Sequence, residues 1–402
     1  MVRKGYKQTE VGVIPEDWEL KTIGDIGSVS SGGTPSRTNP LYWDGSIAWI
    51  TTTQIDFNII DEAEQFITQN GLNNSAAKLF PPGTLLMAMY GQGKTRGKVA
   101  ILDIEASTNQ ACAAISLNNN IEHNYIFHFL VNQYDCIRNL SNTGNQENLN
   151  GLIIKSIKIP LPPKKEQHAI AKILSDVDAL IAALDKLIAK KRNIKTATMQ
   201  QLLTGKKRLP GFGEGKGYKK TEVGVIPEDW EVLPLGELTS FVGSGKSIVK
   251  RGSGNYPLYG STGVIGYSQK FEYEGDSILV ARVGANAGKL NFVSGLYGVS
   301  DNTIMIKLKN DSDLHFFLYQ LWNKDLNSLV FGSGQPLITG TQIKNLSVVC
   351  PRTTEQQAIA QVLFDIDTEI TALEKRRAKT LAIKQGMMQE LLTGRVRLKF
   401  EA

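Results

Sequence analysis

Long apolar runs are missing from this 402-residue chain. None approaches the roughly 18–20 residues that span a bilayer. The N-terminus, MVRKGYKQTE, carries basic residues with no apolar core behind them, unlike a secretion signal. A membrane partner is therefore not expected, and the cytoplasm is the expected location. Cysteine is scarce as well: Cys112, Cys136 and Cys350 are too few and too scattered for a disulfide framework or a metal site, and are expected as plain thiols in a reducing compartment. The four histidines, His123, His128, His168 and His315, show no metal-ligand spacing. No Ser/His/Asp or Cys/His set can be assembled, no GxGxxG follows a strand, and no (D/N)PPY marks amino-methyl transfer. Two stretches, GQGKT at Gly91 and GSGKS at Gly243, resemble the end of a phosphate-binding loop. The full motif needs a further glycine, and those positions hold Ala88 and Ser240. The expectation is a non-catalytic chain with no catalytic residues, no metal and no cofactor of its own.

A large charge excess is also lacking. The net charge is +6, and it is unevenly placed: residues 164–209 carry 11 Lys/Arg against 4 Asp/Glu, whereas 20–163 is net −2 and 232–349 is net +2. Bulk charge alone points only weakly to a polyanion.

What the chain does have is a repeat. GYKQTEVGVIPEDWE begins at Gly5 and GYKKTEVGVIPEDWE at Gly217, with only Gln8 and Lys220 differing. A second pair, EQHAIAKILSDVDALIAAL from Glu166 and EQQAIAQVLFDIDTEITAL from Glu355, runs on to LLTG at Leu202 and Leu391 and to RL at Arg208 and Arg397. The chain is thus two copies of one unit: an opening segment, a middle, and a matched helix. The middles barely resemble each other. One scaffold carrying two different binding surfaces is the simplest reading.

Periodicity supplies the elements. TLLMAMY, KVAILDI, SILVARV and NTIMIKL, bounded by turn residues, are expected as strands. NYIFHFLVNQYDCIRNL and LHFFLYQLWNKDLNSL are each expected as one amphipathic helix. In the matched segments Ile170, Leu174, Val177, Ile181, Leu184 and Ile188, and again Ile359, Leu363, Ile366, Ile370 and Leu373, step by three and four. That is a heptad seam, on helices of about 38 residues and roughly 57 Å. Proline precedes each helix, and Gly205 and Gly394 are expected to end them. Pairing of the two seams under a pseudo-twofold axis makes them antiparallel. The fold class expected is α+β: two globular domains separated by an antiparallel pair of long helices. The boundaries are 1–163 for the first domain, 164–209 for the central helix, 210–349 for linker and second domain, and 350–402 for the C-terminal helix. Trp18 and Trp230, with Pro15 and Pro227, are expected to anchor each globular domain to its helix. The glycine-rich loops bearing Lys94, Arg96 and Lys98, or Arg282 and Lys289, suit a sugar–phosphate backbone.

Taken in order, TEVGVIPEDWE with a glycine-rich middle, EQxAIAxxLxxxD at Glu166 and Glu355, and QxLLTGxxRL at Gln200 and Gln389 resemble the specificity subunit of type I restriction–modification systems over essentially the whole chain. GGTPSRTNPLYW and YPLYGSTGVIGY resemble openings of known target-recognition domains. The resemblance implies that each middle reads one half of a split site on double-stranded DNA, and that the long helices set the spacing. It implies docking of two modification subunits that methylate adenine with S-adenosylmethionine, and of two restriction subunits that use ATP and magnesium in host defence. Both cofactors would sit on the partners and none on this chain. The loops that would read DNA then bring in Arg37, Thr95, Asn109 and Gln110 in the first middle, and Lys246, Ser247, Lys250, Arg251 and Asn286 in the second. Arg, Lys, Asn and Gln are the side chains that read base edges. The alternative is a coiled-coil adaptor that binds no DNA. It leaves unexplained why the middles diverged while their frame did not.

Overall fold

Leu85–Ala88, Val99–Leu102, Ser277–Ala281 and Thr303–Leu308 are strands, as their apolar runs predict. All four residues of Leu85–Ala88 are buried because the strand is covered on both faces. Leu85 and Met87 point to one core with Tyr125, Ile126 and Phe129, while Leu86 and Ala88 point to another with Ile50, Phe80 and Ala106. The computed structural model describes residues 2–91, 93–140, 148–247, 254–330 and 337–398. The chain divides into two compact units, one formed by 1–185 with 375–402 and the other by 186–374. Each long helix, Lys164–Leu202 and Thr353–Leu391, contributes one part to each unit.

In the first unit the main sheet runs Gly27–Ser31, Cys112–Leu117, Leu85–Ala88, Val99–Leu102, Asn58–Ile60, and a second sheet runs Gln65–Ile67, Trp43–Ile50, Ala106–Thr108, Leu79–Phe80. In the second unit the main sheet runs Thr239–Ser244, Thr303–Leu308, Ser277–Ala281, Leu290–Val293, and the second sheet Gly263–Ser268, Tyr256–Gly260, Leu296–Val299, Tyr273–Glu274. Apart from the added edge strand Asn58–Ile60, the order is the same. Dissimilar middle sequences therefore build one topology. Each middle also begins and ends at one place: Glu19–Thr22 pairs antiparallel with Lys158–Leu161, and Glu231–Pro234 with Ser347–Cys350.

Both expected amphipathic helices are broken into two pieces. NYIFHFLVNQYDCIRNL forms His123–Asn132 and then Tyr134–Arg138, with Gln133 between them at φ −96° and ψ +10°, outside the helical region. Its counterpart is Leu314–Trp322, followed by a separate 3₁₀ turn at Leu326–Leu329.

The long helices pair antiparallel within each unit. In the first, Lys384 meets Asp178 and Arg377 meets Asp185. In the second, Lys191 lies 2.7 Å from Glu369 and Lys195 2.7 Å from Asp367. Of the seam residues, Ile170, Leu174, Leu184, Ile188, Ile359, Leu363 and Ile370 are buried, and Val177, Ile181, Ile366 and Leu373 are half-buried. Ile170 and Leu174 belong to the first unit's core with Met388 and Leu391; Ile359 and Leu363 belong to the second's with Leu202 and Leu203.

Candidate nucleic-acid interface

The three repeated motifs converge on one joint per unit. In the second unit the Glu355 carboxylate accepts from the Trp230 indole N–H at 3.0 Å and from Arg208 Nε at 2.5 Å and Nη2 at 2.7 Å. Arg208 also donates to both oxygens of Asp229 and lies over the Trp230 ring. In the first unit Glu166 accepts from Trp18 at 3.1 Å and from Arg397 at 2.6 and 2.7 Å, and Arg397 reaches Asp17 at 2.9 Å. PEDW, the helix-opening EQ and the closing RL are thus the parts of one lock. The glutamine of each EQ holds the middle. Gln167 Oε1 accepts from the Glu122 N–H, which precedes helix His123–Asn132, and Gln356 Oε1 accepts from the Asp313 N–H before Leu314–Trp322. Glycine closes the lock. Gly205 and Gly394 sit at φ +69° and +70°, and a Cβ there would lie 2.4 Å from Pro227 Cδ or 2.5 Å from Pro15 Cδ. Tyr218 and Tyr6 donate to the same two glycine carbonyls.

Burial and charge act together at the joint. Trp18 and Trp230 are fully buried. The hydrogen bonds from Arg397 and Arg208 hold Asp17 and Asp229 below their ordinary carboxylate value of 3.8. A carboxyl depressed in the folded state stabilises that state above its unfolded value, and loses that contribution as pH falls through the depressed one. Acid unfolding followed by circular dichroism should therefore steepen below about pH 4. Replacing Asp17 and Asp229 together by asparagine should flatten that limb.

A second matched cluster links middle to helix. Tyr319 donates to Asp367 at 2.8 Å beside Lys195. In the first unit His128 takes that place, 3.8 Å from Asp178, which is paired with Lys384. Burial, and secondarily the Lys384 charge, push His128 down to about 3, so it stays neutral.

The loop candidates fall into distinct surroundings. Arg37 is exposed and stacked, its guanidinium 3.7 Å from the Trp43 ring centroid, with Nη2 donating to Gln65 at 2.8 Å. Lys94 is exposed, and its backbone carbonyl accepts from Tyr134. Thr95 is half-buried and Arg96 is buried. Lys98 pairs with Asp56. Asn109 turns back onto the Ala111 N–H and Cys112 Sγ, and exposed Gln110 accepts from Thr34. In the second unit Lys246 is exposed. Ser247 is buried, donates to Glu272 and accepts from the Val299 N–H. Arg282 Nη1 donates to Ser244 at 2.8 Å; Asn286 is half-buried and Lys289 exposed. Lys250 and Arg251 lie outside the described residues. The first phosphate-loop lookalike leads into strand Val99–Leu102 and not into a helix, and the second begins within strand Thr239–Ser244. Among the described residues no helix is long and apolar enough to cross a membrane, and no three His, Cys, Asp or Glu side chains gather as a metal-binding group.

Sequence reading missed Glu166, Glu355, Arg208, Arg397, Gln167 and Gln356 as interacting groups. Their recurrence in both copies was the available signal.

A duplicated α+β unit, each copy locked to segments of both long helices and presenting unlike loops, defines a protein with two different recognition surfaces. The family model for the type I restriction modification DNA specificity domain matches residues 15–192 and 227–382, and the chain belongs to that family. The MjaX specificity subunit of Methanocaldococcus jannaschii, described as a putative type I restriction enzyme subunit, is 30% identical over 98% of this chain and 97% of its own length. The type I restriction enzyme MjaVIII specificity subunit of the same organism is 27% identical over 98% and 97%. The crystal structure of the type I restriction–modification S subunit from M. genitalium shares the fold, with a TM-score of 0.65 at 17% identity over 96% of this chain and 97% of that one. This chain is therefore a type I specificity subunit, the DNA-recognition and non-catalytic member of such a system.

Proposed function

We propose that the chain reads a bipartite site on double-stranded DNA, one half-site through the domain at 1–163 and the other through that at 210–349. The helices at 164–209 and 350–402 set the number of unread bases between them. The observation that carries this reading is that two middles of one topology are held by the same lock residues of the repeated frame while their exposed loops differ. Specificity belongs in what differs. The exposed donors and acceptors of those loops, Arg37, Lys94 and Gln110 in the first unit and Lys246 and Lys289 in the second, are the groups proposed to meet DNA. Phosphate contacts position the chain and base-edge contacts specify the sequence.

The opening hairpins support a partner present in two copies. Val11 and Val13 are 42% and 39% exposed on Tyr6–Thr9/Gly12–Pro15, and Val223 and Val225 are 37% and 57% exposed on Tyr218–Thr221/Gly224–Pro227. In the first unit they border a groove of about 870 Å³ lined also by Tyr6, Phe129, Ile137 and Leu392. The same apolar surface built twice suits two modification subunits. These would supply S-adenosylmethionine-dependent adenine methylation, and two restriction subunits would supply the chemistry that uses ATP and magnesium, all in the cytoplasm.

The test is exchange of residues 232–349 for the second middle of another family member, in the complex reconstituted with its modification subunits. Sequencing the methylated adenines should show one half-site changed and the other retained. A change in both halves, or no sequence-specific methylation by the parent complex, overturns the reading.

A further inference from the structure

The loop 32–42 of the first unit, GGTPSRTNPLY, is one of the segments in which the two middles differ. Two tryptophans pin it. The Trp49 indole donates to the Gly33 carbonyl at 2.9 Å and the Trp43 indole to the Ser36 carbonyl at 3.0 Å, and the rings meet edge to face at 5.0 Å. Gly32 lies so close to strand Ala106–Thr108 that a Cβ would come within 2.0 Å of the Thr108 carbonyl oxygen, and a Cβ on Gly33 would come within 2.4 Å of the Ala76 carbonyl carbon. Asn39 caps the 3₁₀ turn that closes the loop, accepting from the Leu41 N–H. The backbone that presents Arg37 is therefore held on both sides.

The side chain is held too. Its guanidinium lies 3.7 Å from the Trp43 centroid and 4.9 Å from that of Trp49, and Nη2 donates to Gln65 Oε1 at 2.8 Å. Gln65 is itself fixed by its place in strand Gln65–Ile67, opposite Trp49. No carboxylate pairs with Arg37 among the described residues. One acceptor takes one Nη2 hydrogen, and the guanidinium keeps one complete edge of two parallel N–H donors.

We propose that Arg37 is a specificity-determining residue that reads a guanine in the half-site of the first unit; this rests on the DNA-reading function proposed above. The chemistry selects the base. In the major groove only guanine offers two acceptors, N7 and O6, side by side; adenine pairs an acceptor with a donor, cytosine offers a donor, and thymine one acceptor beside a methyl. An all-donor fork matches the first and no other. A phosphate would also accept from it, but a phosphate contact needs no fixed plane. Here the plane is set by stacking and by Gln65 before DNA arrives, so little side-chain ordering is left to oppose binding.

The experiment uses the complete modification complex and DNA duplexes carrying its mapped site, with each base pair of the first half-site replaced in turn. Arg37→Met keeps an apolar stem over Trp43 without the donors, and Arg37→Lys keeps the charge without the fork. Both variants are expected to lose discrimination at one G·C pair by roughly 5- to 150-fold in relative methylation rate, with the other positions unchanged. Arg37→Lys carries the test alone if the methionine variant melts at lower temperature than the parent. A uniform loss across all duplexes with a shallower salt dependence would mean a phosphate contact and overturn the assignment. So would unchanged discrimination in Arg37→Lys, or a first half-site built only of A·T pairs. Absence of methylation by the parent complex would instead count against the function on which the assignment rests.

Discussion

Replacing Glu355 by alanine is expected to destabilise the second unit by about 3–5 kcal/mol, the usual cost of removing one partner from a buried ion pair. The Glu355 side chain is 2% exposed and that of Arg208 11%. The substitution leaves Arg208 with Asp229 alone and strips the fully buried Trp230 indole of its acceptor. A loss of this size is a large share of the roughly 5–15 kcal/mol that holds a typical domain folded. Glu166→Ala should act in the same direction on the first unit with a smaller magnitude. Arg397 there is 37% exposed, so water screens the stranded charge. Urea unfolding of the two variants against the parent measures both. A shift below about 1 kcal/mol for Glu355→Ala would place the joint's strength in apolar packing instead.

Ending the chain after Gly386 should unfold the first unit and spare the second. The cut removes Met388, Leu391 and Leu392, which are 6%, 5% and 0% exposed in the first unit's core, together with Gly394 and Arg397 of its joint. Three buried apolar side chains at about 1.5–3 kcal/mol each already approach the net stability of a domain. The second unit makes its joint from Leu202, Arg208, Trp230 and Glu355, all within 186–374. Hydrogen exchange read by mass spectrometry should lose protection around Trp18 and Leu85–Ala88 and keep it around Trp230 and Ser277–Ala281. Retained protection at Trp18 would show that the C-terminal segment is dispensable.

The repeat, the long helices and the strands were legible because each is written locally. Ile170 to Ile188 recur at heptad spacing, and SILVARV is short, apolar and bounded by turn residues. The seam ceased to be readable after Ile188, where Lys191 and Lys195 follow. The helix continues to Leu202, as its expected end at Gly205 requires, but its cations meet Glu369 and Asp367 across the pair. No local pattern announces a partner about 170 residues away. The same limit hid the joint. Trp18 could be read as an anchor, but its acceptor Glu166 and the arginine that completes the lock are 148 and 379 positions distant. The loops were hardest, because Ser247 and Arg37 look alike as polar loop residues. Only the fold shows one buried against Glu272 and the other laid on a tryptophan.

The division of each helix between two units also has a consequence for synthesis. A ribosome delivers the chain at roughly 5–20 residues per second, and domains fold as they emerge. The second unit has its full set of residues once position 374 has been made, whereas the first must wait for 375–398 although its own strands were made long before. The part of the molecule translated first is thus the part completed last, and until then Trp18 has a helix-borne glutamate to meet but no arginine to close over it.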